Sequence, residues 1–172
     1  AVCQQVLELA QSQNDRFGII KLNCQTINSH DRAVYRLVEN AAKKAGIEVG
    51  VPQSGISTDQ KLNRFYEILS NHFASVIIIL DEIDLLIGRK RNPNDEPAYS
   101  KLLYQLSRAS QLGRIEGHVS VAALTNDPRF MEDLDGRAES SFNPQDVVFS
   151  DYDAEQLQAI LERRSDAYRE NV

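Results

Sequence analysis

An α/β domain built on a parallel sheet is the fold this sequence predicts. Three observations carry it. The run Val76-Ile-Ile-Ile-Leu80 is apolar throughout and mostly β-branched, without alternation, which is the pattern of a strand buried on both faces. Strand signals and helix signals alternate along the chain, as they do in an α/β unit. The chain has 172 residues, enough for one domain with a real core.

In chain order, Val2, Val6, Leu9 and Ala10 share one helical face, and the pattern is already under way at Ala1. A polar turn, Ser12 to Arg16, ends that helix. Phe17 to Asn23 reads as the first strand. Ser29 or His30 opens a helix with the stripe Val34, Leu37, Val38, Ala41 and Ala45. Gly46 closes it as a C′ residue, and Lys43 and Lys44 suit its negative end. Gly46 to Gly55, with Pro52, is a connector. Ser57-Thr-Asp-Gln60 has capping-box spacing and leads into Leu62, Phe65, Tyr66 and Leu69. That aromatic stripe reads as core rather than as a platform for nucleic-acid bases.

After the central strand, Gly88 to Pro97 is an exposed loop carrying Arg89-Lys90-Arg91. The triplet reads as a solvated face, with a DNA or partner contact as the alternative. Tyr99, Leu102, Leu103 and Leu106 mark a helix, and Gln111 to Gly117 a turn. Val119 to Leu124 is a strand that ends at Thr125-Asn126-Asp127-Pro128. Phe130, Met131 and Leu134 suggest a short helix, Arg137 stands on a turn after Gly136, and Val147 to Phe149 is a short strand. Asp153-Ala-Glu-Gln156 is a second capping box, before Leu157, Ile160 and Leu161. Beyond Leu161 the helix is very polar and reads as a linker.

A net charge of −6 argues against a general polyanion binder. Cys3 and Cys24 form no closely spaced pair and read as buried thiols. His30, His72 and His118 are scattered singly, with no metal-binding spacing. With no long apolar span and no leader pattern, the expectation is a soluble, cytoplasmic protein without a membrane partner.

The chemistry gathers where the central strand ends. Functional groups of parallel α/β sheets stand at the carboxyl ends of strands, and Asp81 and Glu82 stand there. This is the form of a Walker B element. The aspartate acts on Mg²⁺, directly or through water, and the glutamate polarises the attacking water. Asn126, at the end of a second strand, is placed to touch a γ-phosphate or to orient water. Arg137 suits the capping of a transferring phosphate if it reaches the site, because its charge is permanent and its fork bidentate. No G-x-x-x-x-G-K-[ST] loop occurs in these residues, so they are not expected to bind or hydrolyse ATP by themselves.

These residues resemble those of the archaeal Cdc6/Orc1 family of replication initiators, in its AAA+ module. The resemblance rests on Lys21-Leu-Asn-Cys24-Gln25, on Ile79-Leu-Asp-Glu-Ile-Asp84-Leu-Leu86 for Walker B and on Leu124-Thr-Asn-Asp127 for sensor 1. It rests also on Leu134-Asp-Gly-Arg137-Ala-Glu-Ser-Ser141 for the arginine-finger region, and on Val148-Phe149 and Tyr152-Asp-Ala-Glu-Gln-Leu157 for the approach to the lid. It implies an AAA+ P-loop NTPase-type three-layer α/β/α parallel sheet of strand order 5-1-4-3-2 that here lacks the first strand and P-loop. Residues 1–150 would be a partial nucleotide-binding base domain and residues 151–172 the start of a helical lid or linker. A P-loop would precede Ala1, and a lid and winged-helix domain would follow Val172.

The resemblance implies ATP and Mg²⁺ as cofactors of the parent protein. It implies origin double-stranded DNA, other initiator protomers and the replicative helicase as partners. It assigns Asp81 to the metal, Glu82 and Asn126 to catalysis, and Arg137 to a site across an interface. The initiator-specific insertion would fall in Gly46 to Leu69, which carries Lys61 and Arg64 but no basic cluster. Gly136 stands where the family usually has proline. Two other readings stay open at this point: another AAA+ ATPase, clamp-loader-like or regulatory, and a non-catalytic interaction module that has kept the sheet.

Overall fold

The computed structural model describes residues 16–88, 96–149 and 153–169. The apolar run becomes β2 (Ser75–Asp81), flanked by β1 (Phe17–Asn23) and β3 (His118–Ala123). The order is β1-β2-β3 and both pairings are parallel. Ile77 lies opposite Ile19 on one side and Ser120 on the other, so the strands bearing Ile19, Val76 and Val121 form one contiguous parallel core, as the resemblance implied. The register sets Asn23 opposite Asp81. This is the parallel sheet of an α/β/α P-loop NTPase-type fold.

Burial on both faces of β2 is not met among the described residues. Val76, Ile78 and Leu80 are buried, whereas Ile77 and Ile79 are only partly covered. Side chains alternate across any strand, so coverage by other elements, not composition, decides whether both faces are dry.

The helices are α1 (His30–Ala45), α2 (Thr58–His72), α3 (Ala98–Arg108), α4 (Gly136–Phe142) and α5 (Ala154–Arg169). Ser29 caps α1 by accepting from the Arg32 amide, and Gly46 closes it at φ 69°, the left-handed conformation that glycine adopts freely. Ser57 and Gln60 form the expected reciprocal capping box of α2. Asp153 and Gln156 do the same for α5. Val34, Leu37, Val38, Leu62, Phe65 and Leu69 meet in the core between α1 and α2. The aromatic stripe is therefore core. Gly18 is required by close approach: a Cβ there would stand 2.6 Å from Phe73 Cδ1. No helix among the described residues is long and apolar enough to cross a membrane.

Three expectations about local structure change. Phe130 to Leu134 is a series of turns, not a helix. Arg129 O accepts from both Glu132 and Asp133, and Asp127 Oδ1 takes the Arg129 amide, so the backbone bonds locally after Pro128. The residues bury all the same, with Phe130 against Tyr99 at 5.1 Å between ring centroids. Arg137 sits in the first turn of α4, capped by Asp135, and not on a free turn. Val147 to Phe149 is not a strand and is largely exposed, at 71%, 88% and 80%. Three β-prone residues form a strand only where an edge pairs with them. The helix read over Val2 to Ala10 and the Arg89-Lys90-Arg91 triplet lie outside the described residues.

Gly136 occupies the first position of α4, where the amide has no intrahelical partner and proline is favoured. Its added Cβ would meet nothing within 4 Å, and Asp135 before it is already extended at φ −60°, ψ 140°. Gly136→Pro is therefore expected to stabilise the fold by about 0.4–1 kcal/mol, by restricting the unfolded chain. Denaturant unfolding measures this, and a loss of stability would show that the turn needs glycine.

Candidate functional site

The carboxyl edge of the sheet is locked by three backbone bonds just beyond the ladder. Cys24 N donates to Asp81 O at 2.8 Å, Leu124 N to Leu80 O at 2.8 Å and Ile83 N to Leu124 O at 3.1 Å. Between them the chain turns at Glu82, which adopts φ 54°, ψ 45° before the 3₁₀ turn Ile83–Leu85. A left-handed conformation at a residue with a Cβ costs roughly 1–2 kcal/mol. The surrounding backbone bonds hold Glu82 there, and the strained turn swings its side chain off the strand alternation.

The glutamate meets β1. Asn23 Nδ2 donates to Glu82 Oε2 at 3.3 Å, while Asn23 Oδ1 accepts from the Gln25 amide at 2.8 Å. The Gln25 amide can only donate, so it fixes the Asn23 side chain with its NH₂ toward the carboxylate. Asp81 pairs with Lys21 at 2.9 Å, an exposed cation that holds the carboxylate only loosely. Asp84 Oδ1 is buried and takes no hydrogen bond. Cys24 lies under this cluster, fully buried. Burial, and then the Asp81, Asp84 and Glu82 carboxylates, push its thiol up to about 12. It is an inert core thiol, as its apolar context suggested. Cys3 lies outside the described residues.

Asn126 stands three residues past β3, exposed, on the same sheet edge. The turn around it is closed by its neighbours: Thr125 Oγ1 accepts from the Asp127 amide and Asp127 Oδ1 from the Arg129 amide. Asp81, Glu82 and Asn126 thus come from adjacent parallel strands and share one edge.

Arg137 is held elsewhere. Its Nε donates to Asp135 Oδ1 at 3.1 Å and its Nη2 to Glu96 Oε2 at 3.3 Å. Its guanidinium carbon lies 5.8 Å from the centre of the Tyr104 ring. The hydrogen bond to Asp135, the Asp135 charge and then Glu96 raise its pKa above the ordinary arginine value. The Arg137 amide and then its side chain hold the Asp135 carboxyl below the usual range.

The two cations of the Gly46 to Leu69 segment are engaged inside the fold. Lys61 is 1% exposed and bonds both Asp31 oxygens and Gln53 O. Arg64 donates to Val49 O and Glu48 O and pairs with Glu67. Both cations are thereby held by partners within the fold.

The roles of Asn23, Lys21, Glu96 and Tyr104 escape a reading along the chain. Only the parallel register puts Asn23 beside Asp81. Tyr104 falls within an ordinary amphipathic stripe, with nothing in its spacing to mark a contact with Arg137.

Compared with known proteins, residues 5–145 match the model of the ATPase family associated with various cellular activities. The chain belongs to the AAA family of ATPases. Within it, the relatives are replication initiators of the archaeal Cdc6/Orc1 type. The chain is 62% identical over its whole length to ORC1-type DNA replication protein 5 of Halobacterium salinarum, of which it spans 40%. It is 54% identical over 98% of its length to ORC1-type DNA replication protein 14 of Haloarcula marismortui, spanning 38% of that protein. Thus it spans about two fifths of these curated relatives.

The Aeropyrum pernix Orc1 protein, solved in complex with DNA, superposes with a TM-score of 0.73 at 30% identity. The match covers 95% of this chain and 38% of that one. The Cdc6p structure from Pyrobaculum aerophilum shares the fold, with a TM-score of 0.66 at 18% identity over 96% of this chain and 39% of that one.

AAA-family proteins generally bind ATP with Mg²⁺. The donors on the AAA sheet edge fit a metal held mostly by phosphate and water: Asp81 offers one partly exposed carboxylate. No cluster of three or more His, Cys, Asp or Glu side chains among the described residues forms a protein cage for a metal. Asp81, Glu82 and Asn126 stand at this edge, while a phosphate cradle is not among the described residues.

Proposed function

We propose that this chain is the core of an ATP-dependent DNA replication initiator, which recognises origin DNA and helps to load the replicative helicase. The carrying observation is the adjacent Asp81 and Glu82 at the end of the central strand, with Glu82 held by Asn23. Identity of 62% to an ORC1-type DNA replication protein supports the assignment to initiation rather than to another AAA function. The likeness to an Orc1 protein solved with DNA supports double-stranded DNA as a partner.

Bound ATP with Mg²⁺ would supply a γ-phosphoryl group whose charge is largely neutralised. Asp81 would take the metal side, exchanging its loose pairing with Lys21 for the metal or a water on it. Glu82 would accept the hydrogen bond of the attacking water, its carboxylate aimed by the Asn23 amide. Asn126, one strand over, would orient the water or a phosphate oxygen. Arg137 is tied to Glu96, Asp135 and Tyr104 rather than to Asp81 or Glu82. That placement suits an arginine supplied to a neighbouring protomer or to a helicase-loading partner.

The test uses the full protein with ATP and Mg²⁺ at fixed salt, since phosphate contacts make affinity salt-dependent. Binding to duplex from its own origin is expected to exceed binding to a scrambled duplex of equal composition by about tenfold or more. Equal affinities would remove origin recognition from this reading.

A further inference from the structure

The restraint on Arg137 comes from α3 as much as from its own helix. The Asp135 amide donates to Ser100 Oγ at 3.2 Å, and Ser100 is fully buried in α3, so the start of α4 is pinned to that helix. Glu96 stands just before α3 and reaches Arg137 Nη2. Tyr104, in the second turn of α3, lies under the guanidinium. Arg108, one turn further on, places its own guanidinium carbon 5.7 Å from the centre of the same ring. The Arg137 side chain nevertheless stays 68% exposed. A cation with this many partners is fixed in direction but open on its outer side.

Mobile arginines lose rotamer freedom on binding an anion, and an arginine already held in place loses less. The aromatic face attracts the guanidinium without occupying an N–H group, so the donors not engaged by Asp135 and Glu96 remain available to an incoming phosphate. The Glu96 contact, a single long hydrogen bond, is readily exchanged for a more highly charged oxyanion.

We propose that Tyr104 and Glu96 are positioning residues for Arg137, presetting its guanidinium to meet a phosphate on a neighbouring subunit. This rests on the reading of Arg137 as an arginine that acts across an interface. Tyr104 touches no substrate; it acts through the direction in which it holds Arg137.

The experiment measures ATP hydrolysis stimulated by assembly of the full protein on duplex DNA. It resolves kcat from KM and follows ATP binding by the isolated subunit and thermal unfolding alongside. Tyr104→Leu, which removes the π face, is expected to lower the stimulated kcat about tenfold while KM and subunit ATP binding stay within about twofold. Tyr104→Phe keeps the face and is expected to restore the rate. Glu96→Gln, at an exposed position where folding is not at risk, is expected to lower kcat about threefold.

Arg137→Ala sets the scale. If it abolishes stimulation while Tyr104→Leu and Glu96→Gln behave as wild type, the positioning role is overturned and the arginine reading stands. If Arg137→Ala itself leaves stimulation intact, both fall. A Tyr104→Phe as slow as Tyr104→Leu would also overturn the proposal, since the ring would not be what matters. If Tyr104→Leu unfolds, Glu96→Gln and Tyr104→Phe carry the decision: a full rate for Glu96→Gln, or a slow Tyr104→Phe, sinks it.

Discussion

Glu82→Gln in the full protein is expected to lower ATP turnover by about 10²–10⁴-fold while ATP still binds, the loss typical of removing a general base. The replacement is nearly isosteric. Gln retains a carbonyl oxygen that can accept from Asn23 Nδ2, so the 3.3 Å contact has an acceptor in both proteins. The left-handed turn at φ 54° is equally strained with either side chain, so stability changes little. What disappears is the carboxylate charge that, in the proposed function, polarises the attacking water. Single-turnover hydrolysis, with ATP binding measured alongside, separates the steps. A chemical rate within about threefold of wild type would take Glu82 out of its role.

Asp31→Ala is expected to destabilise the fold by about 3 kcal/mol. Removing one partner of a buried ion pair typically costs about 3–5 kcal/mol, because the other charge stays buried and unpaired. The low end applies here: the Asp31 side chain is 46% exposed, and water screens the pair from that side. Lys61 Nζ would be left with Gln53 O at 2.7 Å and the Tyr35 ring at 5.9 Å. Thr58 Oγ1 would also lose its 2.8 Å acceptor, and α1 a carboxylate in its first turn. Denaturant midpoints at neutral pH measure the loss, and a change below about 1 kcal/mol would show that water reaches Lys61 once the carboxylate is gone.

Acid exposes the same contact. Partial burial works against the Asp31 charge, but the hydrogen bonds from Lys61 and Thr58 and the Lys61 charge outweigh it. They hold the carboxyl below its ordinary value. Its contribution is therefore complete above the unfolded value of about 4 and disappears as pH falls through the lower folded value. The stability gap between wild type and Asp31→Asn is expected to close below about pH 4. A gap that persists at pH 2 would mean that the hydrogen bonds, and not the charge, hold Lys61.

The elements legible along the chain are those specified by contacts between near neighbours. Ser29, Ser57 with Gln60, Asp153 with Gln156, and Gly46 each act within one helical turn of themselves, and all sit where their spacing places them. The β-branched run and the acids that end it are legible for the same reason, and they put Asp81 and Glu82 at a strand end. The segments that changed depend on distant partners. Val147 to Phe149 has strand composition but no paired edge among the described residues. Phe130 to Leu134 buries as a helix would, while its backbone follows the local bonds of Asp127 and Arg129.

The site divides along the same line. Residue type and position in the chain named Asp81, Glu82, Asn126 and Arg137. Only the parallel register could reveal that Asn23, far away in sequence, lies opposite Asp81 and aims Glu82. Only the packing of α4 on α3 could turn Arg137 toward Tyr104 and Glu96. Lys61 shows the limit most plainly. A lysine on a polar segment reads as a surface charge, because sequence carries helical periodicity but not what lies on the other side of the helix. Here that neighbour is Asp31 at the start of α1, and the fold makes Lys61 a buried tie between two helices.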